Sequence, residues 1–278
     1  MEQLGLISFI IIAITVVVSY KGFKSHAFLE RYSFQVDEVL IRKDYKRLIT
    51  SGFLHSGWMH LLFNMISFYY FSSELEDRMG AAYFLIIYFG SMAGGSLFSL
   101  YIHRNHPDYS AIGASGAVSG IVFASIALFP GMEIGLLLFP GSIPGWAFGL
   151  LYVLVSIYGI RSQRDNIGHD AHLGGGIVGL LIAIAMFPEI LRYNYLPILM
   201  ILIPSAVFIY LIVKRPEFLL VNNLFEKQRS FHNADEKYNY HKREKEKELD
   251  RLLDKINRRG MGSLTPKEKE KLKEYSSR

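Results

Sequence analysis

The sequence predicts an all-α fold, a polytopic membrane helix bundle, and three observations carry that expectation. Of the 278 residues, 51% are hydrophobic and 14% aromatic, and only 20% are charged, below the quarter or so typical of soluble domains. Seven apolar stretches approach the roughly 20 residues that a helix needs to cross the hydrocarbon layer with its backbone polar groups paired internally. The composition then turns abruptly: residues 1–213 hold 12 Lys/Arg against 13 Asp/Glu, and residues 214–278 hold 18 against 12. The formal charge of +5 is therefore a near-neutral apolar body joined to a basic tail. Such a tail suits acidic lipid headgroups or an acidic partner, and equally a plain solvated helix. The chain has no cysteine, so disulfides and thiolate metal sites are excluded.

The first stretch, Leu4–Tyr20, follows no basic segment and ends without a small-x-small cleavage site, so it reads as a retained span and not a signal peptide. The others are Trp58–Ser73, Ala81–Ile102, Ile112–Phe129, Trp146–Ile160, Ala171–Phe187 and Leu196–Val213. Loop 21–57 is long, amphipathic and aromatic, which predicts local structure partly in the membrane interface. Pro130–Gly145 is apolar but broken by three prolines and four glycines, and reads as an interfacial or re-entrant piece. With seven spans the tail shares a face with loop 21–57. Both are rich in Lys and Arg, so the positive-inside rule gives no orientation.

Spans two, four and six carry residues that a span does not need. In the fourth, Gly113-Ala-Ser-Gly116 exposes the Ser115 hydroxyl at a helix start, where backbone amides face negative charge. The same small residues also suit plain helix packing, and this segment alone does not separate the two readings. In the sixth, His169-Asp-Ala-His172 begins a helix, and an ionisable group inside the bilayer is a functional candidate. Gly175 and Gly179 share the His172 face at i+3 and i+7, which allows close approach of the Gly113–Gly120 stripe. That pairing brings a nucleophile, Ser115, and a base, His172, into reach. In the second span, His60 and Asn64 stand one turn apart on one face, and both can donate to an oxyanion. His55, nearer the loop, reads as a brace. A metal site from His55, His60 and His172 lacks carboxylates to complete it, so no metal is expected.

Taken together, H-S-G-W-M-H-L-L-F-N (55–64), G-A-S-G (113–116) and A-H-L-G-G-G-I-V-G (171–179) resemble the rhomboid intramembrane serine proteases in content, order and placement on alternate spans. Weaker matches are Arg47 in the first loop, and Glu76 and Arg78 before Gly80. The resemblance covers roughly residues 40–190, and the combination is far more specific than any single motif. It implies Ser115 as nucleophile and His172 as general base, with His60, Asn64 and the Ser115 amide as oxyanion hole. Gly113, Gly116, Gly175, Gly179 and His55 would support them. It also implies a six-helix protease core over 1–190 with one further C-terminal span over 191–214. The charged tail, 215–278, lies outside that core; the helical spacing of Leu252, Leu253 and Ile256 and the Ser-Leu-Thr-Pro start at 263 fit either a small helical hairpin at 249–275 or a marginally ordered tail.

Two positions depart from the family pattern. Lys46-Arg47 stands where members often have Trp-Arg, and Ser119 stands where some place an aromatic that stacks on the histidine. Orientation of His172 must then come from Asp170 or from packing; Asp170, two residues earlier on a helix, points away.

The expected function is a serine endopeptidase cleaving transmembrane segments of membrane-anchored proteins, in a multi-pass protein of a bacterial inner or cell membrane. Its expected partners are transmembrane protein substrates and the lipid bilayer, with no cofactor and no nucleic acid, and the tail's partner is unassigned. The alternative is a catalytically silent relative that binds transmembrane helices for quality control. A transporter relay through Ser115, His60 and His172 would need intramembrane carboxylates, which the middles of spans two to six lack.

Overall fold

The computed structural model describes residues 4–135, 141–162, 165, 167–214 and 256. The chain divides into two compact units, Met1–Val221 and Asn222–Arg278. The tail and its candidate hairpin at 249–275 lie outside the described residues, save Ile256.

Each of the seven apolar stretches contains a helix: α1 (Leu6–Lys24), α5 (Trp58–Met79), α6 (Ala81–His103), α7 (Ser115–Leu128), α8 (Gly145–Ser162), α9 (His169–Met186) and α11 (Tyr195–Lys214). Among the described residues, five of them (α1, α6, α8, α9 and α11) are long and apolar enough to cross a membrane. The other two carry the polar residues of spans two and four. Here α5 holds His60, Asn64 and charged last turns, and α7 is a 14-residue helix.

The burial pattern is that of a bundle in lipid. On α1 the buried residues are Ser8, Ile11, Thr15, Ser19 and Gly22, while Leu6, Phe9, Ile14 and Val17 face outward. Water would reverse that arrangement; a hydrocarbon surround makes small and hydrogen-bonding residues the ones that join helices. The α1 start is fixed by Glu76, whose carboxylate accepts from the Ile7 and Ser8 amides at 2.9 and 2.8 Å and from the Ser8 hydroxyl at 2.6 Å. That partnership carries α5 on to Met79, past the expected end at Ser73.

At the centre stands α7, with every residue from Gly116 to Leu128 buried. It packs against α6 and α9 through glycines. A Cβ on Gly120 would overlap the Ser91 side chain of α6, and one on Gly179 would stand 2.5 Å from the Gly120 Cα. Asn194, after α10 (Ile190–Tyr193), closes the far end of α7 by donating to the Ile126 and Ala127 carbonyls at 2.9 and 2.7 Å.

Loop 21–57 is ordered into α2 (His26–Tyr32), α3 (Val36–Leu40), α4 (Arg47–Thr50) and a short 3-10 turn. Buried Arg47 holds it together: one guanidinium nitrogen donates to the Glu30 and Ser33 carbonyls at 2.7 Å each, and Nε donates to Asp44 at 3.0 Å. Two short antiparallel pairs modify the all-α expectation. β1 (Phe34–Gln35) pairs with β2 (Ser110–Ala111), which ties this loop to the chain entering α7. β3 (Glu133–Gly135) pairs with β4 (Ser142–Pro144), the described flanks of the proline- and glycine-broken segment. Pro and Gly are poor helix formers, and in these flanks an extended pair satisfies the backbone instead.

Candidate active site

The turn into α7 is shaped by glycine. Gly113 has φ +132°, a conformation that residues with a Cβ avoid, so the helix starts at Ser115 and not at Ile112. The turn is pinned by two hydrogen bonds, from the Gly113 amide to the Ser51 carbonyl at 3.0 Å and from the Ala114 amide to His55 Nε2 at 3.5 Å. Ser115 is the first residue of α7, so its amide and the next ones have no acceptor within the helix. The nucleophile candidate thus sits beside N–H groups at the positive end of the helix dipole. It is half-buried in a bundle whose next thirteen residues are buried.

His60 faces the same spot from α5. A Cβ on Gly113 would lie 3.0 Å from His60 Nε2 and 3.7 Å from Ser115 Oγ, so both groups line one side of that glycine. His60 Nδ1 accepts from the Ser56 amide at 3.5 Å and contacts the Ser56 hydroxyl at 3.1 Å. This assigns the proton to Nε2, which turns an N–H toward Gly113. Asn64 is buried one turn further on and donates one of its two N–H bonds to the His60 carbonyl at 3.1 Å. It braces the helix turn that bears His60, with a second donor left over.

His55 lies beneath this pair. Ser19 donates its only proton to the Phe53 carbonyl at 2.9 Å, so the His55 Nδ1–H donates to Ser19 Oγ at 2.9 Å. His55 Nε2 is then the acceptor for the Ala114 amide. The fully buried ring is neutral, and its basicity is depressed: burial, with the neighbouring His60 adding to it, pushes its pKa down to about 3.

His172 stands in the first turn of α9, next to α7. A Cβ on Gly116 would lie 3.2 Å from the Ala171 carbonyl oxygen, and one on Gly175 would lie 3.0 Å from the Gly116 Cα. The residues flanking Ser115 and His172 therefore touch backbone to backbone. Among the described residues, the hydrogen bonds do not include one between the Ser115 hydroxyl and the His172 ring. Asp170 is turned elsewhere, toward His103 Nε2 at 3.2 Å and the Tyr109 hydroxyl at 3.3 Å, while Tyr109 stacks on His103 with ring centroids 3.5 Å apart. The ring near His172 that sequence reasoning missed is Tyr152 of α8, centroid to centroid 6.1 Å. Its hydroxyl meets Ser119 Oγ at 2.6 Å. A tyrosine in an apolar span carries no sequence mark of facing inward. Among the described residues no cluster of His, Cys, Asp or Glu is arranged to hold a metal ion.

Residues 42–189, more than half of the chain, match the family model of the rhomboid domain. The chain belongs to the rhomboid family. Residues 232–278 match a second model, a family of unknown function (DUF6576). Among rhomboid relatives, the mitochondrial rhomboid protein 1 of Saccharomyces cerevisiae is 34% identical over 57% of this chain and 46% of its own length. The rhomboid protease AarA of Providencia stuartii is 28% identical over 60% of this chain and 66% of its own. Inactive rhomboid protein 1 of Drosophila melanogaster is 30% identical over 51% of this chain and 10% of its own. The chain spans about half the length of the first of these relatives. As a rhomboid it is a multi-pass membrane protein of a family that includes named proteases and members named inactive.

Proposed function

We propose that this rhomboid is an intramembrane serine endopeptidase, with Ser115 as nucleophile and His172 as general base. The observation that carries the reading is the placement of Ser115. It opens a central helix beside unpaired amides, lines the Gly113 turn together with the His60 Nε2, and adjoins the helix of His172 through the Gly116–Ala171 contact.

In the reaction, His172 takes the Ser115 proton as Oγ attacks a peptide carbonyl. The tetrahedral oxyanion is held by the Ser115 amide, His60 Nε2–H and the second Asn64 N–H. His172 then protonates the leaving amine, and water hydrolyses the acyl-enzyme. One oxyanion donor contributes about 3–4 kcal/mol of transition-state stabilisation. The substrate is a transmembrane segment of a membrane-anchored protein, unwound locally so that a carbonyl is open to attack. It enters sideways past α8, and the setting is a bacterial inner membrane, in keeping with the similarity to the Providencia stuartii protease.

A silent, helix-binding relative is the competing reading, and the inactive Drosophila relative keeps it in view. Cleavage of a reporter transmembrane protein by the purified, reconstituted enzyme separates the two. The wild type should cut, and Ser115→Ala and His172→Ala should not. Equal cleavage by all three would remove the dyad, and binding without cleavage by any would favour the silent relative.

A further inference from the structure

We propose that Tyr152 is a positioning residue that fixes the first turn of α7 and the His172 ring from α8; this rests on the peptidase reading above. The proton count on Ser119 gives the direction of the contacts. Ser119 Oγ donates to the Ser115 carbonyl at 2.7 Å, which uses its one proton. The 2.6 Å contact between Ser119 Oγ and Tyr152 must then be a donation from the tyrosine. A directed chain results, from the Tyr152 O–H to Ser119 Oγ, and from the Ser119 O–H to the carbonyl of the nucleophile residue itself. It links α8 to the turn that presents Ser115.

The tyrosine ring does a second job. It lies between Phe123 and Phe148, at centroid distances of 5.4 and 5.9 Å, so its own orientation is set by packing. Its centroid is 6.1 Å from that of His172 with the planes inclined by 39°. Ser119 is small enough to leave this space to a ring arriving from another helix; a larger side chain at 119 would fill it. Asp170 is committed to His103 and Tyr109; among the described residues the rings in contact with His172 are Tyr152 and, at 5.9 Å, His169. His169 is itself engaged, by Asp165 at 3.2 Å.

The test is steady-state kinetics of the full chain in liposomes on a reporter transmembrane substrate, with folding checked by thermal melts. Tyr152→Leu should lower kcat by about 10–100-fold with KM unchanged, the cost of a misplaced base and nucleophile. Tyr152→Phe, which keeps the ring, should recover most of that loss. Its remaining deficit should equal that of Ser119→Ala and not add to it in the double variant. Wild-type kcat in Tyr152→Leu, or an effect confined to KM, would overturn the inference while leaving the peptidase reading intact, provided that wild type cuts and Ser115→Ala does not. If wild type fails to cut, both fall.

Discussion

Gly175 of α9 lies against the backbone of Gly116 of α7, so closely that a Cβ at 175 would stand 2.7 Å from the Gly116 carbonyl carbon. Backbone cannot swing aside as a side-chain tip does, so a single methyl there must push the helices apart. Gly175→Ala is expected to cost about 1–3 kcal/mol of stability, the usual range for overpacking. It should also lower kcat through the displaced His172. A thermal melt and a turnover assay on the same preparation check this; a variant with wild-type values in both would mean that the helix pair is not tight.

The buried His55 makes stability depend on pH. Unfolded, its imidazole titrates near 6.5; folded, its pKa is about 3. Between those values the unfolded chain binds a proton that the folded chain refuses. Stability that is fully present above about pH 6.5 is therefore lost progressively as pH falls toward 3. Protonation at Nε2 would also set a donor against the Ala114 amide, loosening the turn before Ser115. His55→Gln should flatten the fall of melting temperature between pH 6.5 and 4. Equal slopes in the variant and wild type would assign the acid sensitivity to another group.

Glu76 anchors α1 from the opposite end of α5. Its carboxylate takes two amides and one hydroxyl at the α1 start, in a buried position where charge-assisted bonds are strong. Removing it leaves those donors unpaired, at about 1–3 kcal/mol. Glu76→Ala should thus melt earlier while kcat per folded molecule stays unchanged, because Glu76 lies more than four turns along α5 from His60. A loss of kcat at full folding would show coupling between the two ends of α5.

The two oxyanion candidates should not weigh equally. His60 turns its Nε2 toward the Gly113 turn that leads into Ser115, whereas Asn64 spends one N–H on the His60 carbonyl. His60→Ala is expected to lower kcat by about 10²–10³-fold, and Asn64→Ala by less. The reverse order, measured on one transmembrane reporter, would make Asn64 the principal donor.

Much of the fold was legible because lipid simplifies the problem. Seven apolar runs gave seven helices, and the glycines of spans four and six lie where those two helices touch backbone to backbone. The boundaries that moved did so for local reasons: positive φ at Gly113 shortened α7, and the partnership of Glu76 with the α1 start lengthened α5. The two short strand pairs were not legible, since their backbone bonds join segments distant in sequence. Tyr152 stayed hidden for a related reason. In an apolar span the side that faces protein is distinguished by its neighbours, and Ser119, the gap that Tyr152 approaches, is 33 residues away. The departure at Ser119 was itself visible, but it pointed only to Asp170 or to packing as what orients His172, and to no ring on another span.

The most direct measurement is labelling by a fluorophosphonate, which reports an activated serine without needing the natural substrate. In folded, bilayer-embedded protein a single adduct is expected, mapped by peptide mass spectrometry to Ser115, and its rate should collapse in His172→Ala. No adduct on demonstrably folded wild type, or one that forms just as fast without His172, would contradict the peptidase assignment.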